Sequence, residues 1–199
     1  MINTIQVLLQ NEEYILKKND RKIVLFKGKL NIYPEDCIEI EGVILTGKFI
    51  VSEVHRDVKQ ISIETEKKEE AAIYAVIIYK RLYDDISDRM KARNIRKYLN
   101  LGKEDKALTC IINCFDDDIY SIGYEDRLKI SLIRLENEID IKFCGEYLVK
   151  GATLSRGYVA LYNYCEKLQY ISLYYAEMQK KVDFSIERER IIGLYILGK

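Results

Sequence analysis

Residues 59–86 read KQISIETEKKEEAAIYAVIIYKRLYDDI, and a change of period inside them sets the fold class. In Ile61-Ser62-Ile63-Glu64 apolar and polar side chains alternate, as in a strand with one buried face. From Glu69 onward Ala71, Ala75, Ile78, Leu82 and Ile86 step at helical spacing, with Ala72, Val76, Tyr79 and Tyr83 on the adjoining stripe. A stripe that broad has to be buried. The chain is therefore expected to be α+β, with its compositional boundary near Glu66: an antiparallel β unit over 1–66 and an α+β unit over 67–199.

Upstream of that boundary seven short strands are expected, at Ile5–Leu9, Tyr14–Lys17, Lys22–Phe26, Lys29–Tyr33, Ile38–Glu41, Lys48–Val54 and Lys59–Thr65, with turns at Asn19-Asp20 and Gly47. Seven short strands followed by a helix is an order that resembles a pleckstrin-homology-like barrel, which implies that the unit could close into a small barrel. Downstream, a helix over Met90–Asn100 would turn Ala92, Ile95 and Leu99 inward, and another from about Lys103 to Phe115 would bury Ala107, Leu108, Ile111, Ile112 and Phe115. Leu128, Ile130 and Leu132, then Ile139, Ile141 and Phe143, then Tyr147–Val149, read as a β-meander. Leu161, Tyr164, Leu168, Ile171, Tyr175, Met178 and Val182 step alternately by three and four, the seam of one long helix over 156–182. A final strand is expected at Ile191–Leu197.

Composition excludes several classes of chemistry. The 199 residues contain one His, one Pro, no Trp and five Cys, which leaves no stock for a His-rich zinc or di-iron site. Thirty-two Lys and Arg balance 32 Asp and Glu, so any electrostatic partner must be sought locally. The Cys residues sit in apolar patterns and are odd in number, which fits reduced thiols better than a secreted disulfide framework. Uncharged runs such as Ala71–Tyr79 and Leu168–Ala176 are nine residues long, well below the roughly 20 that span a bilayer. Glu12 and Glu13 interrupt any leader-like apolar stretch. A cytoplasmic protein with no membrane contact is expected.

Three candidate sites follow from charge and aromatic patterning. Arg89, Arg93, Arg96 and Lys97 fall at i, i+4, i+7 and i+8, which places four cations on one helix face; with Lys91 and Lys103 they make 89–103 free of acids. Such a face suits an acidic protein surface or a phosphate backbone. Tyr158, Tyr162, Tyr170 and Tyr174 lie off the heptad seam of the long helix, where tyrosine's large area and polar tip suit either half-burial or an interface. Asp116-Asp117-Asp118 precede Ile119-Tyr120-Ser121-Ile122, and Lys150-Gly151 leads to Arg156-Gly157 at the start of the long helix; this pairing resembles nucleotide-cyclase palm domains and implies a Mg²⁺-dependent phosphoryl or nucleotidyl enzyme using Asp116, Asp117 and Asp118 with Lys150 and Arg156. Ser155 is the expected N-cap there. Asp84-Asp85-Ile86-Ser87-Asp88 resembles the aspartate-rich motif of isoprenyl diphosphate synthases, but that family's second such motif is missing, so the string is read as a polar helix end. The expected function is non-catalytic recognition or regulation through protein–protein contacts, made by the tyrosine helix and the basic face, with self-association or a partner protein, no catalytic residue and no cofactor. A nucleic-acid-binding module and the metal-dependent enzyme are the alternatives.

Overall fold

The structure, a computed structural model, describes residues 1–28, 34–136 and 138–199. In chain order its elements are α1 (Ile2–Leu8), β1 (Ile15–Lys18), β2 (Lys22–Phe26), β3 (Asp36–Val43), β4 (Lys48–His55), β5 (Val58–Thr65), α2 (Lys68–Tyr83), α3 (Arg89–Asn100), α4 (Glu104–Ile112), β6 (Tyr120–Ile122), β7 (Ile130–Arg134), β8 (Ile139–Phe143), β9 (Glu146–Ala152), α5 (Leu154–Lys181) and α6 (Arg188–Leu197). The fold is α+β, as the period change requires. The shift in composition near Glu66 is the passage from β5 to α2 and not the boundary between units expected there, because α2 packs on the sheet that precedes it. By packing, the chain forms two compact units, one of Met1–Asp84 with Leu173–Lys199 and one of Asp85–Ser172. Among the described residues no helix is long and apolar enough to cross a membrane.

In the first unit β1 to β5 pair antiparallel in sequence order. The register sets Ile23 opposite Ile40, Ile40 opposite Val51 and Val51 opposite Ile63, an apolar row on one face. β1 and β5 are not paired with each other among the described residues, so the sheet is an open meander and not a closed barrel. The expected strand Lys29–Tyr33 lies outside the described residues. α2 packs on the sheet, and every residue from Ala71 to Lys80 is buried. Lys80 joins this apolar set because Glu12 and Asp84 both reach its ammonium group. α1 and α6 pack on α2 where strands were expected at Ile5–Leu9 and Ile191–Leu197. Both segments are short apolar runs whose period is ambiguous, and docking against α2 decides for helix. Gly198, in the left-handed region at φ 79°, ends α6, its N–H donating to the Leu194 carbonyl.

In the second unit the four strands lie in the order β6-β7-β8-β9, with β6 parallel to β7 and the other pairs antiparallel. Cys144-Gly145, at φ 52° and 84°, make the two-residue hairpin between β8 and β9. The start of α5 crosses β8 so closely that a Cβ on Gly157 would come within 2.6 Å of Ile139 Cγ2. Thr153, not Ser155, caps that helix: its Oγ1 accepts the Arg156 N–H at 3.4 Å, and its carbonyl accepts Gly157 N–H. The Glu104 carboxylate at the start of α4 accepts from both the Tyr158 hydroxyl and Arg134, each at 2.7 Å. These contacts tie α4, β7 and α5 together.

Candidate recognition surface

α3 is a strongly amphipathic helix with a sound start. The Asp88 carboxylate accepts the N–H groups of Met90 and Lys91 at 3.0 and 3.1 Å, satisfying two of the orphan donors of the first turn. Asp88's own N–H donates to both oxygens of Glu166 on α5 at 3.2 Å, and the Tyr162 hydroxyl donates to the same carboxylate. The helix entrance is thus pinned to the α5 wall. Ile95 and Leu99 are buried. Opposite them Arg93, Arg96 and Lys97 are exposed, and none has a carboxylate partner among the described residues. Arg89 on the same face meets Asp85 one turn back, at 2.7 Å, in an exposed pair of small energetic consequence. Met90 and Leu101, at the two ends of the helix, are 75% and 58% exposed.

A groove runs along this face. One concavity of about 250 Å³ is bounded by Ser87, Arg89, Arg93 and Arg96 on one side and by Val159 and Asn163 of α5 on the other. It meets a second, of about 340 Å³, at Ser87 and Asn163, where Ile86, Ala160, Tyr164 and Lys167 form the walls. Toward the helix C-terminus it continues past Arg93 and Arg96 to Lys97, Asn100 and Leu101. The Asn163 side-chain oxygen is buried in this wall without a hydrogen-bond partner. The α5 wall has no local signal in the sequence, since Arg96 and Asn163 are far apart in the chain and only packing brings them together. The exposure of Met90 and Leu101 likewise depends on which elements pack nearby.

The other expected sites fare differently. Tyr158, Tyr162 and Tyr174 are buried, and Tyr170 is half-buried. The hydroxyls of Tyr158, Tyr162 and Tyr174 donate to Glu104, Glu166 and the Leu8 carbonyl. Burial, with Glu104 and Glu166 adjacent, pushes the Tyr158 and Tyr162 phenols well above their ordinary pKa. These rings serve the interior of each unit. Asp116, Asp117 and Asp118 are exposed before β6, whereas Lys150 lies on β9. The sheet order puts β6 and β9 at opposite edges, about three strand spacings of ~4.8 Å apart, and the Asp run precedes the start of β6 while Lys150 is near the end of β9. The structure does not bring these groups together. Lys150 lies over the Tyr147 ring at 5.0 Å, and Arg156 is exposed. The aspartate-rich string is divided among a pair with Lys80, a pair with Arg89 and the α3 cap. Among the described residues no group of three or more His, Cys, Asp or Glu is placed to hold a metal ion, and the five Cys are free thiols. Comparison with protein-family models, with curated protein sequences and with solved structures finds no match for this chain.

Proposed function

We propose that this protein acts by recognition and not by catalysis, with the cationic face of α3 as its contact surface for an acidic protein. The observation that carries this reading is the row Arg93, Arg96 and Lys97, left without carboxylate partners among the described residues in a chain that has as many acids as bases. Several surface cations elsewhere are paired locally, Lys48 with Glu64, Lys59 with Glu41, Arg56 with Glu35 and Arg134 with Glu104, whereas here three unpaired cations lie in one row on one helix face. An unneutralised row beside a groove is open to an external anion. Met90 and Leu101 supply apolar contact at either end, which a protein partner can cover and a phosphate backbone cannot; Arg and Met are also among the residues enriched at protein interfaces. A two-fold dimer through this face would set cations against cations, so the partner is a different, acidic chain.

The test is a titration of the protein into a fluorescent acidic peptide of alternating Glu and Leu, and in parallel into a fluorescent DNA duplex. Three exposed charge pairs at about 0.5 kcal/mol each sum to roughly a tenfold change in affinity. The expected outcome is peptide binding that Arg93→Ala, Arg96→Ala and Lys97→Ala together weaken about tenfold. Preferential duplex binding, with a salt slope near −3 that disappears in the triple variant, would replace this reading with nucleic-acid recognition. Peptide binding untouched by the triple variant would overturn it.

A further inference from the structure

We propose that the N-terminal sheet carries a second, separate site, for a small amphipathic anion, in a cavity at the ends of β2, β3 and β4. The cavity is about 330 Å³, at the small end of the range for ligand sites. Its floor is apolar, made by Ile23, Ile40 and Phe49. Gly42 leaves it open: a Cβ built there meets only Phe49 Cε1, at 3.9 Å, so the space above this strand position is otherwise empty. Lys18 and Arg21 stand at the rim, exposed and with no carboxylate partner, and Asp20 is the one acid lining it, among the described residues. Lys22 and Lys48, also at the rim, pair with Glu39 and Glu64. On the adjoining β3–β4 turn Ile44 and Leu45 are 82% and 97% exposed, apolar area that a ligand chain leaving the cavity would cover. An apolar body against the floor and one anionic head between Lys18 and Arg21 satisfy both halves of the site. A free amphiphile and a lipid presented by a bilayer share that chemistry.

The experiment is calorimetric titration of the full chain with decanoate, decanol and decyltrimethylammonium below micelle formation, together with co-sedimentation on phosphatidylglycerol vesicles. Saturable decanoate binding is expected, at least fivefold tighter than decanol and absent for the ammonium amphiphile. Lys18→Ala with Arg21→Ala should weaken it about fivefold. Gly42→Val fills the floor, suits a strand position and should abolish binding while leaving the melting temperature equal or higher; Gly42→Ala, which adds only the Cβ, provides a gentler version if valine perturbs folding. Vesicle binding that Gly42→Val removes would assign the site to a bilayer lipid, and decanoate binding without vesicle binding to a free amphiphile; either upholds the site. No saturable decanoate binding and no vesicle binding, binding indifferent to both Gly42 variants, or equal affinity for all three amphiphiles would overturn it.

Discussion

Arg56 and Asp57 hold φ angles of 46° and 66° in the two-residue turn between β4 and β5, a left-handed conformation usually given to Asn and Gly. Left-handed backbone costs a side-chain-bearing residue about 1 kcal/mol. Asp57→Gly should therefore stabilise the protein by roughly 0.5–1 kcal/mol, raising the melting temperature by about 2 °C in a scan against the parent chain. Lys80 illustrates the opposite case. Burial alone would favour the uncharged amine, but Glu12 and Asp84 outweigh it and hold the pKa above its ordinary value. Lys80→Met leaves those two carboxylates facing an apolar group. Because Glu12 is partly solvated, the expected cost is at the low side of a broken buried pair, about 2–3 kcal/mol. Denaturant midpoints measure it, and a loss below about 0.5 kcal/mol would show that the pair contributes nothing net.

Between elements the tightest joint is Gly157 against Ile139. Gly157→Ala forces a methyl group into the Ile139 side chain, and overpacking of this kind costs about 1–3 kcal/mol. Ile139→Ala in the same background should recover part of the loss, which a thermal melt of the double variant would reveal. Asp88→Ala removes the α3 cap and should cost about 1 kcal/mol, with amide exchange rising first at Met90 and Lys91. How far such elements are legible in sequence depends on how local their signal is. The period change near Glu66, the meander from Ile130 to Ala152 and the heptad seam of α5 all lie within single windows, and all are present. α1 and α6 look like strands in the sequence because an apolar run of five to seven residues fits either period, and α6 is too evenly buried to show a polar face. Thr153 and Ser155 are equally good caps on paper, and only the path of the chain chooses between them.

For the molecule as a whole, the tyrosines set an alkaline limit. Burial pushes the Tyr83 phenol up to about 12 from an ordinary 10.0, and Tyr79, Tyr158, Tyr162 and Tyr195 shift in the same direction. At pH 11 such a phenol has lost its proton in the unfolded chain but keeps it in the native one. Unfolding then releases protons, so stability is full below pH 10 and falls as pH rises toward 12. Phenolate absorbance and helical circular dichroism should therefore change together in that window; smooth phenolate titration near pH 10 with the helical signal intact would contradict the burial. The candidate sites were only half legible at this scale. The spacing of Arg89, Arg93, Arg96 and Lys97 is printed in the chain, but the α5 wall of the groove and the space above Gly42 depend on partners distant in sequence. An absent side chain gives no signal until its neighbours are placed.

The unit containing the first sheet is completed by residues 173–199, while the unit of Asp85–Ser172 is continuous in sequence. Synthesis runs from N- to C-terminus, and domains commonly fold in that order. The sheet and α2 are made before α6, whose buried Ile191, Ile192 and Leu194 belong to the helix that packs on α2, whereas Asp85–Ser172 has all of its residues before α6 is made. Until α6 is in place the part of α2 that it covers is bare, while the sheet side of α2 is already covered.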